Sequence, residues 1–332
     1  MTTQTEVAVL DAEALGVEEE SPFKIVARRF RKHKLAMVAL FIMIVIFLVS
    51  LFVTSIAPFK VDELAVGDYF LPFGSVQAAT GRVHWLGTDN IGRDYFSRLL
   101  YAGRISLSVS ILSVLISETI GVTVGAISGF YGGVIDSLLM RFVEFLLTIP
   151  SLPLLLIISS MLIRNPEMIP IPQPVLVILG KIMILSPRDA RQAALIILVL
   201  AGLGWLTAAQ LMRGTVLSLR DQTFVEASRS LGASNARIIF RHMIPNAMAP
   251  IIVDASLGLA GYIILEASLS FLGLGIQDPI PTWGNMLSAT QQFMFDKPWL
   301  PLVPGFPIFF TSLAFNYIGD GLRDALDPRL KM

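Results

Sequence analysis

Charge is the scarcest property of this sequence. Of 332 residues only 15% are charged, whereas 54% are hydrophobic, and the mean hydropathy is +0.71. Soluble domains carry about 25% charged residues, so the chain lacks the polar surface that a soluble fold of this length needs. Acidic and basic residues balance at 25 each, which excludes a strong field for nucleic acid. The composition predicts an all-α integral membrane protein whose surroundings are the lipid bilayer.

Cysteine is absent and histidine is rare, which removes several kinds of chemistry. Without cysteine there are no disulfides, thiolate metal sites or cysteine nucleophiles. The three histidines (His33, His84 and His242) lie far apart in sequence and supply a poor base for a hydrolase. No G-x-x-x-x-G-K-[ST] phosphate loop occurs, since Gly180-Lys181 lacks the upstream glycine and the following hydroxyl residue. We expect no enzyme activity, metal or cofactor in this chain.

The amino-terminal region divides into three pieces. Residues 1–20 are polar and acidic, which predicts a disordered tail. In 21–34 apolar residues recur at helical spacing among six Lys and Arg residues, which fits either a basic amphipathic helix on an anionic membrane surface or the positive flank of a span. Residues 35–57 carry no charge and are too long for a signal peptide, so they predict an uncleaved first transmembrane helix.

Hydropathy predicts six transmembrane helices in all. The dense basic cluster before the first places both termini in the cytoplasm. An extracytoplasmic loop (58–104) then precedes a five-helix core (105–320) with a cytoplasmic loop at 213–246, and a cytoplasmic tail (321–332) follows. The five spans of the core are predicted at 105–128, 138–163, 192–212, 247–270 and 300–319.

Small residues mark one face of the second span. Residues 105–113 alternate in a strand-like manner, but an isolated strand cannot satisfy its backbone in hydrocarbon, so we predict a helix. Small residues at spacings of four or three let neighbouring backbones approach closely, and they predict a helix-packing face. That face comprises Ser110, Ser113, Ser117, Gly121 and Gly125, and the pattern extends to Ser106, Ser128 and Gly132.

Ionisable residues within or beside the spans are candidates for intramembrane polar sites, because charges are costly there. Arg141 and Glu144 are three residues apart, which favours a structural pair. For Glu118 and Glu266 the sequence favours buried hydrogen bonds with the serine-rich helices over an ion or proton relay. The full set is Glu118, Asp136, Arg141, Glu144, Asp254 and Glu266.

The connection 164–191 is unusually long. Its stretch 174–186 is apolar but too short to span easily, so we interpret it as a re-entrant or interfacial piece of an outer loop. The extension either contacts an extracytoplasmic binding protein or packs on the membrane surface.

The loop 213–246 carries the most informative local pattern. Phe224, Ala227 and Leu231 form an apolar stripe at helical spacing, Gly232 provides a left-handed helix end, and a second helix is expected up to Pro245. Two short helices around a glycine turn suit a docking knob for another protein. A helix lying flat on the inner leaflet is the alternative.

This loop resembles the EAA motif of permeases from binding-protein-dependent ABC importers, which reads E-A-A-x₃-G-x₉-I-x-L-P. Here Glu226-Ala227-Ser228 is followed by Gly232 and by His242-Met243-Ile244-Pro245, so three positions depart from the motif (Ser228, His242 and Ile244).

Four further stretches are similar to the C-type subunit of the dipeptide/oligopeptide permeases, and the resemblance covers about residues 22–331. An Arg common in the family is Gln210 here. The stretches are LGTDNIGRDYFSRLLYAGRISL (86–107), GFYGGVIDSLLMRFVEFLLTIP (129–150), EASLSFLGLGIQDPIPTWGNML (266–287) and GDGLRDALDPRLK (319–331).

The resemblance implies a type I ABC importer permease fold in the cytoplasmic membrane of a bacterium or archaeon. It implies a heterodimer with a second permease, two ATPase subunits that bind ATP and Mg, and an extracytoplasmic solute-binding protein. It makes 213–246 the coupling loop and matches Glu144 and Glu266 to family acidic positions. The residues implied to couple to the ATPase are Phe224, Glu226, Ala227, Leu231, Gly232 and Pro245.

The expected function is therefore ATP-driven import of di- or oligopeptides. Nickel, glutathione, opines and oligosaccharides are carried by the same subfamily and stay open as alternatives. An ion-driven secondary transporter using Glu118 and Glu266 is a second class, although no inverted repeat supports it. A membrane scaffold with a cytoplasmic knob is a third.

Overall fold

The computed structural model describes residues 21–64, 67–77 and 80–327, so the acidic stretch 1–20 lies outside the described residues. The first described helix is α1 (Pro22–Lys32), where a basic amphipathic helix is predicted. His33 separates it from α2 (Lys34–Leu51) and caps α2, because its Nδ1 accepts a hydrogen bond from the amide of Ala36 at 3.1 Å. The predicted span 35–57 is interrupted at Phe52, after which α3 (Val53–Ile56) adds one turn.

A short domain follows where the extracytoplasmic loop is predicted, and we call it the outer domain. It contains the antiparallel hairpin β1 (Ser75–Val76) and β2 (Val83–His84). His84, the last residue of β2, is buried, stacked on Phe59 with 4.4 Å between ring centroids and bonded through Nδ1 to Asp94 at 2.8 Å. Asp94 also accepts from the amide of Ser97, so it caps the helix that begins at the next residue.

The core is built on two long helices that lie against each other. They are α4 (Tyr95–Tyr131) and α8 (Pro187–Leu219). Residues 105–113 are helical within α4, as the small-residue spacing predicts. At 37 residues α4 is about 55 Å long, well beyond the ~30 Å of bilayer hydrocarbon, so its ends extend outside the membrane.

The predicted third span, 138–163, is not one helix. It consists of α5 (Gly133–Leu147) and α6 (Ser151–Arg164), which are bent by 86° relative to each other. Pro150 and Pro153 account for the break, because proline disfavours helix in the preceding residue and cannot donate its own backbone hydrogen bond. A hydropathy average reports only that the whole stretch is apolar, so it does not reveal the break.

The extension contains a 3₁₀ turn (Pro166–Met168) and a short apolar helix, α7 (Gln173–Met183). One face of α7 packs into the core through Leu176, Leu179 and Met183, whereas Val177 and Ile178 are exposed. A helix of 11 residues is too short to cross a bilayer.

The loop after α8 contains α9 (Thr223–Ser230) and α10 (Asn235–Arg237), with Gly232 between them at φ +76°. A π-helical segment (Ile238–Met243) then runs straight into α11 (Ile244–Phe271). The expectation that Pro245 ends the second helix is wrong, because the helix runs without a break from Asn235 to Phe271, and the π-helical segment lies directly before Pro245. After α12 (Trp283–Ala289), α13 (Trp299–Leu326) closes the described chain.

Candidate functional site: the loop after α8 and the polar contacts behind it

Helix α9 is anchored by one side. Val225 is completely buried and packs in an apolar cluster with Val216 of α8, Ile238 and Met243. Phe224 is partly buried against the same cluster, which therefore joins α9 to the long helices. The guanidinium of Arg229 lies 5.5 Å from the centre of the Phe130 ring at the end of α4.

The other side of α9 projects from the molecule. Glu226 and Ala227 are exposed, and Leu231 is 88% exposed. The turn after them closes through two backbone bonds, from Gly232 to the carbonyl of Arg229 (2.9 Å) and from Ala233 to that of Ser228 (3.0 Å). The positive φ of Gly232 is the conformation that favours glycine. Pro245 is exposed at the start of α11.

The apolar stripe predicted through Phe224, Ala227 and Leu231 is therefore not the buried face. Val225 anchors the helix, and the sequence gives little sign of it, since eight residues of α9 contain only about two turns of periodicity. An exposed leucine beside an exposed carboxylate forms a small protruding surface. We call Glu226, Ala227 and Leu231 the knob.

The small residues of α4 bring it into backbone contact with α8. Ser113 and Ser117 donate to the carbonyls of Ile197 and Ala201 at 3.5 and 3.4 Å. A Cβ added at Gly121 would lie 2.5 Å from the Cβ of Ala208, and one at Gly125 would overlap with the carbonyl oxygen of Ala209. Ser110 is also buried and donates to the carbonyl of Ser106 in its own helix at 2.9 Å.

An ion pair joins α8 to α5. Arg213 of α8 donates two hydrogen bonds to Asp136 of α5, at 2.5 and 2.6 Å, and Ser128 of α4 donates to the same carboxylate at 2.5 Å. Three helices thus meet at one side chain. Asp136 is recognisable in sequence as a membrane-edge carboxylate, but its partner lies 77 residues away and has no local signature.

Of the acidic candidates, Glu266 is the most buried, with 1% of its surface exposed. Ser106 of α4 donates to it at 3.0 Å and Ser270 at 2.8 Å, and Ser106 also accepts from the amide of Trp283 at 3.2 Å. These contacts join α4, α11 and α12. Buried hydrogen bonds to serine hydroxyls are what the sequence favours for this residue.

Glu118 and Glu144 lie in different surroundings. Glu118 is half-buried, and its Oε2 has no hydrogen-bond partner within the described ranges, although Asp254 lies within electrostatic range. Its expected bond to the serine-rich helices is therefore absent at that oxygen. Glu144 and Arg141 are both exposed on α5, and the described part of the chain contains no ion pair between them. The expected Arg141–Glu144 pair is not formed.

Charged residues from two of the quoted motifs meet beside the outer domain. Asp278 accepts from Arg93 at 2.7 Å and from Arg98 at 2.8 Å, and Arg93 also donates to Asp89 at 2.6 Å. Burial lowers the pKa of Arg93, but the carboxylates of Asp89 and Asp278 more than offset it and leave a net rise. The network ties the outer domain to the segment between α11 and α12. The motifs show these four residues, but only the fold brings them together.

In the described ranges, no group of three or more His, Asp or Glu residues is placed so that it could hold a metal ion.

Within the described residues five helices are long and apolar enough to cross a membrane, and the bent pair α5–α6 makes a sixth if it counts as one span. With the projecting knob, this defines a multi-pass membrane protein of the permease class. Residues 121–332 match the family described as binding-protein-dependent transport system inner membrane component, and the chain belongs to that family. Residues 21–72 match the N-terminal TM domain of oligopeptide transport permease C.

Curated relatives cover almost the whole chain. The dipeptide transport system permease protein DppC of Alkalihalophilus pseudofirmus is 38% identical over 94% of this chain and 91% of the relative. The oligopeptide transport system permease protein OppC of Bacillus subtilis is 34% identical over 97% and 94%. The glutathione transport system permease protein GsiD of Escherichia coli O157:H7 is 36% identical over 98% and 97%. The resemblance to the dipeptide/oligopeptide permeases and the type I ABC permease fold are thereby confirmed.

Proposed function

We propose that this chain is the C-type permease subunit of an ATP-driven importer that carries di- or oligopeptides. The observation that carries the proposal is the coupling segment, in which Val225 anchors α9 inside the chain while Leu231 and Glu226 project outward. An exposed apolar side chain on a short rigid helix is suited to insert into a groove of a partner protein. This arrangement favours docking over a helix lying flat on the inner leaflet.

The partner at the knob is one of two ATPase subunits, which bind ATP and Mg and perform the hydrolysis. Movement of that subunit displaces α9, and the displacement reaches the spans through the cluster around Val225 and Val216. Because Gly125 places α4 against the backbone of α8 and Arg213 holds Asp136, these helices move as one unit. The chain itself needs no catalytic residue.

The remaining partners are a second, homologous permease and an extracytoplasmic solute-binding protein. The outer domain and the segment before α12 are joined by Asp278, so both present one connected surface to the binding protein. We propose that the complex lies in the cytoplasmic membrane of a bacterium or archaeon, with both termini and the knob on the cytoplasmic side. The 164–191 extension is proposed to contact the binding protein, and deleting it should weaken that association while sparing assembly.

The solute is proposed to be a peptide because two of the relatives above are named for dipeptide and oligopeptide transport. Glutathione is the second candidate, since a relative of similar identity is named for it, and chemically it is a peptide too.

Gentle purification from the native membrane, followed by mass spectrometry of co-purifying proteins, tests this function. Recovery of a second permease and of two Walker-containing ATPases is expected, and a recovered binding protein is then screened for its ligand. Recovery of the chain alone, together with solute uptake that follows an ion gradient, would contradict the proposal.

A further inference from the structure

One exposed face of α5 carries a row of polar side chains, which we call the polar stripe. It consists of Ser137, Arg141, Glu144 and Thr148, at spacings of four, three and four residues, all of them exposed. Apolar side chains flank it, including Phe142 and Phe145, which are 54% and 61% exposed. A lipid-facing helix would show only the apolar residues.

The two charged side chains of the polar stripe have no bonded partner within the described residues. In the part of the chain that the structure describes, neither the Arg141 side chain nor the Glu144 side chain makes a hydrogen bond or an ion pair. Glu144 lies within electrostatic range of Arg213, but that guanidinium is already bonded to Asp136. A charged side chain on a spanning helix is costly to expose to lipid, and such residues face a bundle interior or a water-filled cavity. The polar stripe therefore meets water or protein.

The backbone gives a second, independent reason. The polar stripe ends where the span breaks, with an 86° bend between α5 and α6 and with Thr148 and Pro150 exposed. Non-helical backbone at membrane depth is tolerated only where protein buries it or where it lines an aqueous cavity. In other transporters, interrupted helices of this kind lie beside the substrate.

We propose that the polar stripe lines the water-filled translocation path and that Arg141 and Glu144 contact the carboxylate and ammonium groups of a passing peptide. This rests on the proposed importer function. Residues three apart on a helix have Cβ atoms about 5–6 Å apart, so the two opposite charges lie one turn from each other. That arrangement suits a short zwitterion.

Exposure of these side chains also suits a path rather than a tight site. In bulk water two unit charges 4 Å apart attract only weakly, so a peptide is oriented without being trapped. A path must bind its solute weakly enough to release it. Burial of the polar stripe against the second permease is the competing arrangement. The two arrangements differ in whether a water-soluble reagent can reach the stripe.

The absence of cysteine makes the accessibility test direct. Single variants Ser137→Cys, Thr148→Cys and, as the matched control on the neighbouring apolar face, Phe142→Cys are introduced into the complete complex in membrane vesicles. A small membrane-impermeant methanethiosulfonate reagent is added, and labelling is read on this chain after the subunits are separated. We expect labelling of Ser137→Cys and Thr148→Cys at rates that change on trapping with vanadate, and none of Phe142→Cys.

Three results would overturn the proposal. They are the absence of labelling at both stripe positions, equal labelling of Phe142→Cys, and cross-linking of Ser137→Cys to the second permease without labelling. Each vesicle preparation is first assayed for ATP-dependent uptake. Loss of uptake in the unmodified complex would contradict the importer function, whereas normal uptake with an unlabelled stripe contradicts only the path.

The charge test uses Arg141→Gln and Glu144→Gln. Uptake of a dipeptide is compared with uptake of its C-amidated and N-acetylated forms, with affinity of the binding protein for each form measured separately. Arg141→Gln is expected to lower uptake of the free dipeptide about fivefold, the effect of losing one water-exposed charge contact, and to leave the C-amidated form unchanged. Glu144→Gln is expected to lower uptake of the free dipeptide to a similar extent and to leave uptake of the N-acetylated form unchanged. Equal losses for all forms would show that the charges act through structure instead.

Discussion

Ser106 and Glu266 lie 160 residues apart in sequence, and the Ser106 hydroxyl donates to the Glu266 carboxylate at 3.0 Å. Ser270 donates to the other oxygen, so a completely buried carboxylate holds α4 against α11. The carboxylate accepts hydrogen bonds that the two hydroxyls would otherwise lack.

Glu266→Ala should therefore destabilise the protein without touching the coupling segment. Each buried hydroxyl left without its acceptor costs about 1–3 kcal/mol, so the midpoint of thermal unfolding of this chain in the purified complex should fall. Glu266→Gln retains one carbonyl acceptor and should have a smaller effect. The exposed Asp296→Ala, outside the knob, is the matched control and should leave the midpoint unchanged. An unchanged midpoint for Glu266→Ala would show that the network contributes nothing to stability.

Gly125→Ala should separate α4 from α8. The added Cβ overlaps with the carbonyl oxygen of Ala209, so one helix has to shift, and overpacking of this kind costs about 1–3 kcal/mol. Gly214→Ala, on the exposed side of α8, places its Cβ in open space and is the control. The measurement is the yield of assembled complex after purification and its thermal midpoint. Equal behaviour of the two variants would contradict the close approach of the helices.

Asp136 and Arg213 should behave as a coupled pair. Asp136→Ala leaves the guanidinium without its carboxylate, and Arg213→Ala leaves the carboxylate without its donor. The Arg213 side chain is 35% exposed, so the interaction free energy from a double-mutant cycle should be about 1 kcal/mol rather than the larger value of a fully buried pair. Thermal or denaturant unfolding of all four forms gives that value. Simple additivity of the two substitutions would mean that the contact contributes nothing.

Regular helix packing is the part of the fold that the sequence predicts well. Small residues at spacings of three and four correctly place a helix over 105–113 and mark Gly121 and Gly125, because spacing along one helix is a local property. The break between α5 and α6 escapes hydropathy, which averages over composition. Pro150 and Pro153 are its visible signal.

Contacts between distant segments are the part that the sequence does not supply. Asp136 is visible as a membrane-edge carboxylate, but its pairing with Arg213 depends on the fold. The reverse error occurs at Arg141 and Glu144, where suitable spacing suggests a pair that does not form. In α9 the anchor is Val225 rather than Leu231, since a helix of two turns has too little periodicity to identify its buried side.

In the proposed mechanism the knob transmits ATP-driven movement, and Val225 holds the knob in place. The most direct measurement compares Leu231→Asp with Val225→Ala, scoring solute uptake and ATP hydrolysis in reconstituted vesicles containing the complete complex, and the thermal midpoint separately. Leu231→Asp should abolish uptake and its coupling to hydrolysis, while the thermal midpoint of this chain purified without the ATPase subunits should not change, because the Leu231 side chain is 88% exposed in the chain itself. Val225→Ala should lower the midpoint through about 2 kcal/mol of lost burial. Wild-type uptake and coupling in Leu231→Asp would contradict the claim.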